Sequence, residues 1–274
     1  MVSCLDLIPL VLHRDYMPGR PVYRRVLQAT WALRAHGARR VQCISQHTAD
    51  DLMRLTGISA EKIDIVLLGV DLERYRPFSG EAAEHARQIR EKHGLTQRPY
   101  VFYMGAADPR KNVDTLVAAF ARAAVPDLEL VLIGKLRPSD RARYDAALSA
   151  AGNPKHVRFM GFVAEDDLPA IIAGARAFVF CSSYEGFGNV PIEAMACGCP
   201  VITTGLTSMR ETVADSALIV PARDVDATAD AIRRIARDDA LHRDLASAGV
   251  ERAQRFSWRN TALDTVESYR RALD

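Results

Sequence analysis

The sequence predicts an α/β protein, with one complete parallel sheet covered by helices on both faces and part of a second sheet domain before it. From Pro99 onward, short apolar runs alternate with helical patterns. The runs are too apolar for strands with one wet face, so both sides of the sheet are covered. Three of them end directly at Gly105, Gly134 and Gly161. Glycine lets backbone approach a ligand closely, and open parallel sheets bind ligands beyond the carboxyl ends of their strands.

Taken in order, residues 5–12 are apolar, 20–40 read as a basic helix, 41–44 as a short strand, 48–55 as a helix and 63–68 as a strand. Residues 1–75 are therefore assigned to a partial sheet domain. Residues 76–98, rich in Pro, Gly, Glu and Arg, read as a linker. The complete domain is assigned to 99–258, with strands at 100–104, 128–133, 157–160, 177–181, 200–203 and 217–220. Val113, Leu116, Val117 and Phe120 follow i, i+3, i+4, i+7 spacing and form one apolar stripe, with Asn112 as the helix cap. Residues 224–237, 240–255 and 257–273 are further helices, and 259–274 is expected to pack back toward the amino-terminal part.

Composition narrows the function. A chain of 274 residues with 49% hydrophobic residues and a net charge of +2 buries a large core, and its cations are dispersed, so no nucleic-acid partner is expected. The five cysteines are scattered, with one Cys-x-Cys pair that lacks zinc-finger spacing, which points to free thiols in a reducing, cytoplasmic setting. No apolar stretch reaches the ~20 residues that span a bilayer. The basic segment 20–40 is the candidate for peripheral membrane contact, although packing of its apolar face inside the protein is the preferred reading. His13-Arg14-Asp15 lacks the context of a kinase loop, and Asp224-Val225-Asp226 reads as helix capping, not as a metal site.

Chemistry concentrates after the run 177–181, where Glu185-Gly186-Phe187-Gly188-Asn189-Val190-Pro191-Ile192-Glu193 places two carboxylates around a glycine turn. Pro191 suits the first position of a helix and Gly198 its end, which puts Glu193 in the first helical turn. Backbone N–H groups of Gly188, Asn189 and Val190 can then face a phosphate. A second loop, Gly105-Ala106-Ala107-Asp108-Pro109-Arg110-Lys111-Asn112, brings two cations to another helix start. Cations avoid that positively polarised end unless an anion shares it.

These segments resemble the family-four glycosyltransferases, whose hallmark Glu-x7-Glu is matched by Glu185 and Glu193. Pro109-Arg110-Lys111-Asn112, Met160-Gly161-Phe162-Val163, Cys197-Gly198-Cys199-Pro200-Val201 and Phe256-Ser257-Trp258 match too, as do Asp6-Leu7-Ile8-Pro9-Leu10, Ser45 with Thr48, and Gly69-Val70-Asp71. The resemblance implies a GT-B architecture of two Rossmann-like domains and retaining transfer of a hexose from a nucleoside diphosphate sugar to a glycan or lipid-linked acceptor. It implies no metal and no other cofactor. Lys111 and Arg110 would neutralise the diphosphate, Glu185 and the backbone of Gly186, Phe187, Gly188, Asn189 and Val190 would hold donor sugar and phosphates, and Glu193 would contact ribose. The base would sit near Gly134 and Val163, with Gly105 at the phosphate loop.

The Pro-Arg-Lys-Asn loop is similar to that of bacterial polysaccharide mannosyltransferases, so GDP-mannose is the first donor implied and a UDP-hexose the second. Two positions depart from the pattern: Ala106 stands where many members have arginine, and Leu5 where many have a catalytic-site histidine. The amino-terminal part is expected to be roughly a hundred residues short of a whole domain. A dimer or partner chain would cover the open sheet, and a non-catalytic module that binds a nucleotide sugar is the alternative function.

Overall fold

A computed structural model describes residues 1–106, 108–135 and 137–274. Ala107, in the cationic loop, lies outside the described residues. Two parallel sheets form. The smaller has the order β1 (Val2–Cys4), β2 (Val41–Cys43), β3 (Ile63–Ile65). The larger contains β4 (Tyr100–Met104), β5 (Glu129–Ile133), β6 (Val157–Gly161), β7 (Ala177–Phe180), β8 (Val201–Thr203) and β9 (Leu218–Ile219), ordered β6-β5-β4-β7-β8-β9. Its growth reverses direction between β4 and β7, the switch point at which loops on neighbouring strands diverge and leave a crevice.

The strand residues show why the large sheet forms. Val101, Phe102, Phe178 and Val179 are fully buried, as expected for strands covered on both faces, and each contributes roughly 2 kcal/mol through removal from water. Val113, Leu116, Val117 and Phe120 of the helix Val113–Ala123 all enter this core. A smaller core joins Cys4, Leu7, Leu10, Val41, Cys43 and Leu52 around the first sheet. The five cysteines are all buried and free.

Four expectations need correction. Residues 76–98 are not an extended linker, because Gly80–Lys92 is a helix. Its Ala86 is buried, Arg90 donates to the Ala170 carbonyl at 3.1 Å, and Leu95 enters the large core. The Glu and Arg that suggested a linker are good helix formers, and i,i+3 and i,i+4 pairs of Arg87 with Glu84 and Glu91 support them. Within the helix Pro21–Gly37, Leu27 and Trp31 pack on the small core, but Val22, Tyr23, Val26 and Leu33 are exposed. Apolar residues lie around more than one face of this helix, and the sheet covers only one.

The other two corrections concern helix starts. The helix after β7 spans Asn189–Ala196, so Pro191 is its third residue and Glu193 lies in its second turn. Proline is tolerated throughout the first turn, where N–H groups lack intrahelical acceptors. Asn112 does not cap its helix with its side chain. It takes a left-handed backbone (φ 46°), donates from Nδ2 to the Cys181 carbonyl at 2.9 Å, and accepts from Arg223 Nε at 3.2 Å.

The carboxyl-terminal helix Trp258–Leu273 reaches back to the first sheet. There Asp64, buried on β3, accepts from Arg40, from Ser268 Oγ at 2.7 Å and from Arg271 Nη1 at 3.0 Å. The Arg40 hydrogen bond, acting against burial, lowers the Asp64 pKa to about 2 from 3.8. A depressed carboxyl pKa stabilises the fold above the unfolded value, and that stability is lost as pH falls through the folded one. Wild-type stability should therefore fall between pH 3.8 and about 2. Asp64→Ala should lose about 3 kcal/mol at neutral pH, because it strands Arg40, and should lack that acid step in urea melts.

Candidate active site

The crevice at the switch point is built from two loops, one after β4 and one after β7. After β4, Asp108 caps a single 3-10 turn, Pro109–Lys111, by accepting from the Arg110 N–H at 3.0 Å. This turn, and not the helix that follows, carries both cations. After β7, Glu185 brings its Oε1 to 2.5 Å from Arg110 Nη1 and 3.2 Å from Lys111 Nζ. Arg110 Nη1 also donates to the Tyr184 carbonyl at 2.8 Å, and Ser183 N–H returns a bond to the Arg110 carbonyl at 2.8 Å. The two loops therefore hold each other in register.

Burial sets the electrostatics. It lowers the Lys111 pKa from its ordinary 10.5, and the nearby Glu185 charge partly opposes that change. The ammonium lies 4.7 Å from the centre of the Phe180 ring, a cation–π contact that compensates in part for lost hydration. Burial also works against the Arg110 charge, but Glu185 and Asp108 outweigh it and the pKa rises. Arg110 Nε is buried and has no hydrogen-bond partner among the described residues. Its nearest carboxylate oxygen, Asp108 Oδ1, lies 3.7 Å away.

The glycine turn presents backbone donors because side-chain hydroxyls occupy its carbonyls. Ser208 donates to the Glu185 carbonyl at 2.8 Å, Ser45 and Thr48 to that of Gly186 at 2.7 and 3.2 Å, and Thr212 to that of Phe187 at 2.7 Å. Among the described residues, the N–H groups of Gly186, Phe187 and Gly188 meet no acceptor. Gly188 has φ 113° at the helix entrance, a conformation L side chains rarely adopt.

These parts line one cleft of about 270 Å³ with Asp6, Leu5, Ile44, Asn189 and Val190. Of the residues anticipated from sequence, Arg110, Lys111, Glu185 and residues 186–190 share this cleft. Gly105 lies beside it: a Cβ there would come within 3.6 Å of Lys111 Cδ. Gly134 packs in turn against the Gly105 carbonyl, and Val163 is buried in the large core. Glu193 does not line the cleft; it lies among Arg74, Glu165 and Tyr75. Leu5, 59% exposed, lines the cleft without a titratable group. A larger cavity of about 660 Å³, between Pro77, Arg90, Cys197 and Val250, shares no residue with it.

Burial raises the Glu193 pKa above 4.5, with Arg74 opposing the shift and Glu165 adding to it. The stability of its protonated form is complete below 4.5 and is lost as pH rises through the folded value. Glu193→Gln should therefore gain stability relative to wild type as pH rises above 4.5, read by urea melts. Equal pH profiles for the two proteins would refute the buried assignment.

Sequence reasoning missed Tyr16, whose hydroxyl donates to the Asp108 carboxylate at 2.6 Å. It also missed Thr207, Ser208 and Thr212, which hold the glycine turn. The run Thr203-Thr204-Gly205 with Thr207-Ser208 directly after an expected strand was the available signal for them.

Two parallel-sheet units, with charged side chains and unpaired N–H groups converging at a switch-point crevice, define a GT-B type fold with a polar cleft between its loops. The chain belongs to the group 1 family of glycosyl transferases, whose pattern matches residues 85–252. It is 30% identical over 239 residues to O-antigen chain mannosyltransferase B of Escherichia coli, covering 85% of this chain and 61% of that protein. It is 32% identical over 237 residues to the D-inositol 3-phosphate glycosyltransferase of Salinispora tropica, covering 82% and 49% respectively. Among solved structures, sucrose-phosphate synthase of Thermosynechococcus elongatus superposes with a TM-score of 0.85 at 28% identity, over 99% of this chain and 67% of that one. HepE of Anabaena, solved with UDP and glucose, gives 0.78 at 22% identity over 88% and 67%. The chain thus spans less than two thirds of those two curated relatives.

Proposed function

We propose that the chain supplies the donor site of a retaining glycosyltransferase that moves a hexose from a nucleoside diphosphate sugar to a glycan or lipid-linked acceptor. The observation that carries this reading is the convergence of Arg110, Lys111 and Glu185 at the switch point, with the N–H groups of residues 186–188 that meet no acceptor among the described residues. The diphosphate takes those donors, and Glu185 turns to the sugar hydroxyls. As the bond from C1 to the β-phosphate oxygen breaks, the cations neutralise the charge that develops on that oxygen. The acceptor oxygen bonds to C1 on the same face, and its proton passes to the departing diphosphate. In this reading the two side chains supply the neutralisation that a metal ion could otherwise give.

In this reading the donor extends past the lined cleft, its ribose toward Glu193 beside Glu165 and its base toward Val163 and Gly134. A mannosyltransferase relative and a neighbour solved with UDP and glucose make GDP-mannose and UDP-glucose the donors to test. Five buried free thiols fit a cytoplasmic setting.

A second reading, a nucleotide-sugar-binding module without turnover, is favoured by apolar Leu5 on the cleft wall, where many members of the family have a histidine. Titration calorimetry with both donors, paired with an assay of acceptor-dependent nucleoside diphosphate release, separates the two. Binding with release supports the enzyme, and binding without release supports the module. If neither nucleotide binds, the donor-site assignment fails.

A further inference from the structure

A third cavity, of about 570 Å³, lies in the amino-terminal part, lined by His13, Arg14, Arg20, Arg24, Arg25 and Gln28 among others. Four arginines meet around one space, and no Asp or Glu lines it. None of the four forms an ion pair among the described residues, whereas Arg40, Arg110, Arg158 and Arg176 are all paired. The nearest carboxylate in sequence, Asp15, is exposed and lies outside the lining.

The backbone adds to this positive field. Arg20 occupies the cap position of the 17-residue helix Pro21–Gly37, and the first turn has neither a side-chain cap nor an acidic residue. Cations gathered at a helix amino terminus repel its dipole, so the arrangement destabilises the free protein unless an anion shares it. His13 supplies an independent sign. Arg24 Nη1 lies 3.2 Å from His13 Nε2, and because guanidinium cannot accept, Nε2 accepts and Nδ1 carries the proton. That Nδ1 is buried and has no partner among the described residues. A buried donor without an acceptor costs free energy that an incoming oxyanion would recover.

We propose that this cavity binds the phosphate or diphosphate group of the acceptor. Guanidinium forks match phosphate oxygens two at a time, and the cavity falls within the roughly 300–1,000 Å³ of small-molecule sites. Its position suits an acceptor, since Tyr16, on the same short helix as His13, bonds Asp108, which holds Arg110. The short helix His13–Tyr16 thus has His13 on the cavity and Tyr16 bonded to the carboxylate that caps the cationic turn. Naming the ligand as the acceptor rests on the transferase reading; binding of phosphate does not.

The test is calorimetric titration of the full chain with inorganic pyrophosphate and, separately, with UDP and GDP. Wild type should bind pyrophosphate at two sites. The double variant Arg24→Gln/Arg25→Gln should lose one of them, weakened about tenfold or more, while nucleotide binding stays unchanged and reports an intact fold. Lys111→Ala should lose the other. A single pyrophosphate site that vanishes in Lys111→Ala and ignores the arginine variant overturns the proposal. Nucleotide binding absent while the arginine-dependent site persists sinks the donor-site reading alone.

Two further probes identify the source of the phosphate. Glucose 6-phosphate competing at the arginine site marks a soluble acceptor. Flotation with phosphatidylcholine vesicles carrying a polyprenyl diphosphate, lost in the double variant, marks a lipid-linked one. Flotation equal on phosphatidylglycerol vesicles, with no pyrophosphate binding, would show a general anionic surface effect and refute a phosphate pocket.

Discussion

Replacing Lys111 by alanine should lower kcat/KM for sugar transfer by about 100- to 1,000-fold, the range for removal of one preorganised charge from a transition state. The fall should appear mainly in kcat, because the diphosphate oxygen gains charge as the C1–O bond breaks. In the proposed transfer, donor affinity should weaken less, since Arg110 and the backbone donors would still hold the phosphates. Burial places the Lys111 pKa below 10.5, so the ammonium discharges sooner on the alkaline side than an exposed lysine would. The rate should decline on that side at a pH under 10.5, and Lys111→Arg should remove the decline because guanidinium stays charged throughout. An alkaline limb that survives in Lys111→Arg would assign it to another group.

Gly134→Ala should cost about 3 kcal/mol or more and lower Tm by about 10 °C. Its φ of 150° is unfavourable for an L residue, and a Cβ there would sit 2.6 Å from the Gly105 carbonyl oxygen. Because the obstacle is backbone, no rotamer change relieves it. Relief requires β4 and β5 to separate at their carboxyl ends, where Gly105 N–H donates to the Ile133 carbonyl at 3.0 Å. That movement displaces the start of the cationic loop, so nucleotide affinity should fall together with stability. Gly152→Ala is the control: φ is 77°, but a Cβ meets nothing within 4 Å, and the cost should be about 1 kcal/mol. Equal thermal shifts for the two variants would exclude the backbone clash.

The large sheet was legible because its physics is local. A strand covered on both faces must be apolar throughout, and all six runs from residue 100 onward overlap observed strands, although the edge strands β6 and β9 are only partly buried. The first sheet was harder. Strand β1 has only three residues, Val2, Ser3 and Cys4, too few for any pattern to stand out. Helix Gly80–Lys92 was hidden by composition, since Glu and Arg serve an exposed helix as well as a linker.

Within the candidate site, the cations and the glycine turn were visible, because glycine and charge at helix starts have few other uses. The bond from Tyr16 to Asp108 joins residues 92 apart in sequence, and no periodicity encodes such a pairing. Glu193 was placed one turn too early. The proline signal marks a helix's first turn, but it does not fix the position within that turn.

The return of the last helix to the first sheet has a mechanical consequence. The backbone passes between the two units near Val70 and again near Ser257, and these passages run side by side, with Val70 N–H bonded to the Phe256 carbonyl at 2.9 Å. A Cβ on Gly69 would fall 2.3 Å from the Trp258 nitrogen, so the passages are in contact. Two chains pinned together resist twisting far more than a single tether does, yet they can still bend about their common line. A cleft opened at this pinned line would swing about it and not twist. Its far side is latched by Tyr16 with Asp108, and by Gln46 and His47, whose N–H groups grip the Glu211 carboxylate at 2.8 Å. A nick in the backbone at either passage would leave the closed form standing and remove the guidance of its movement.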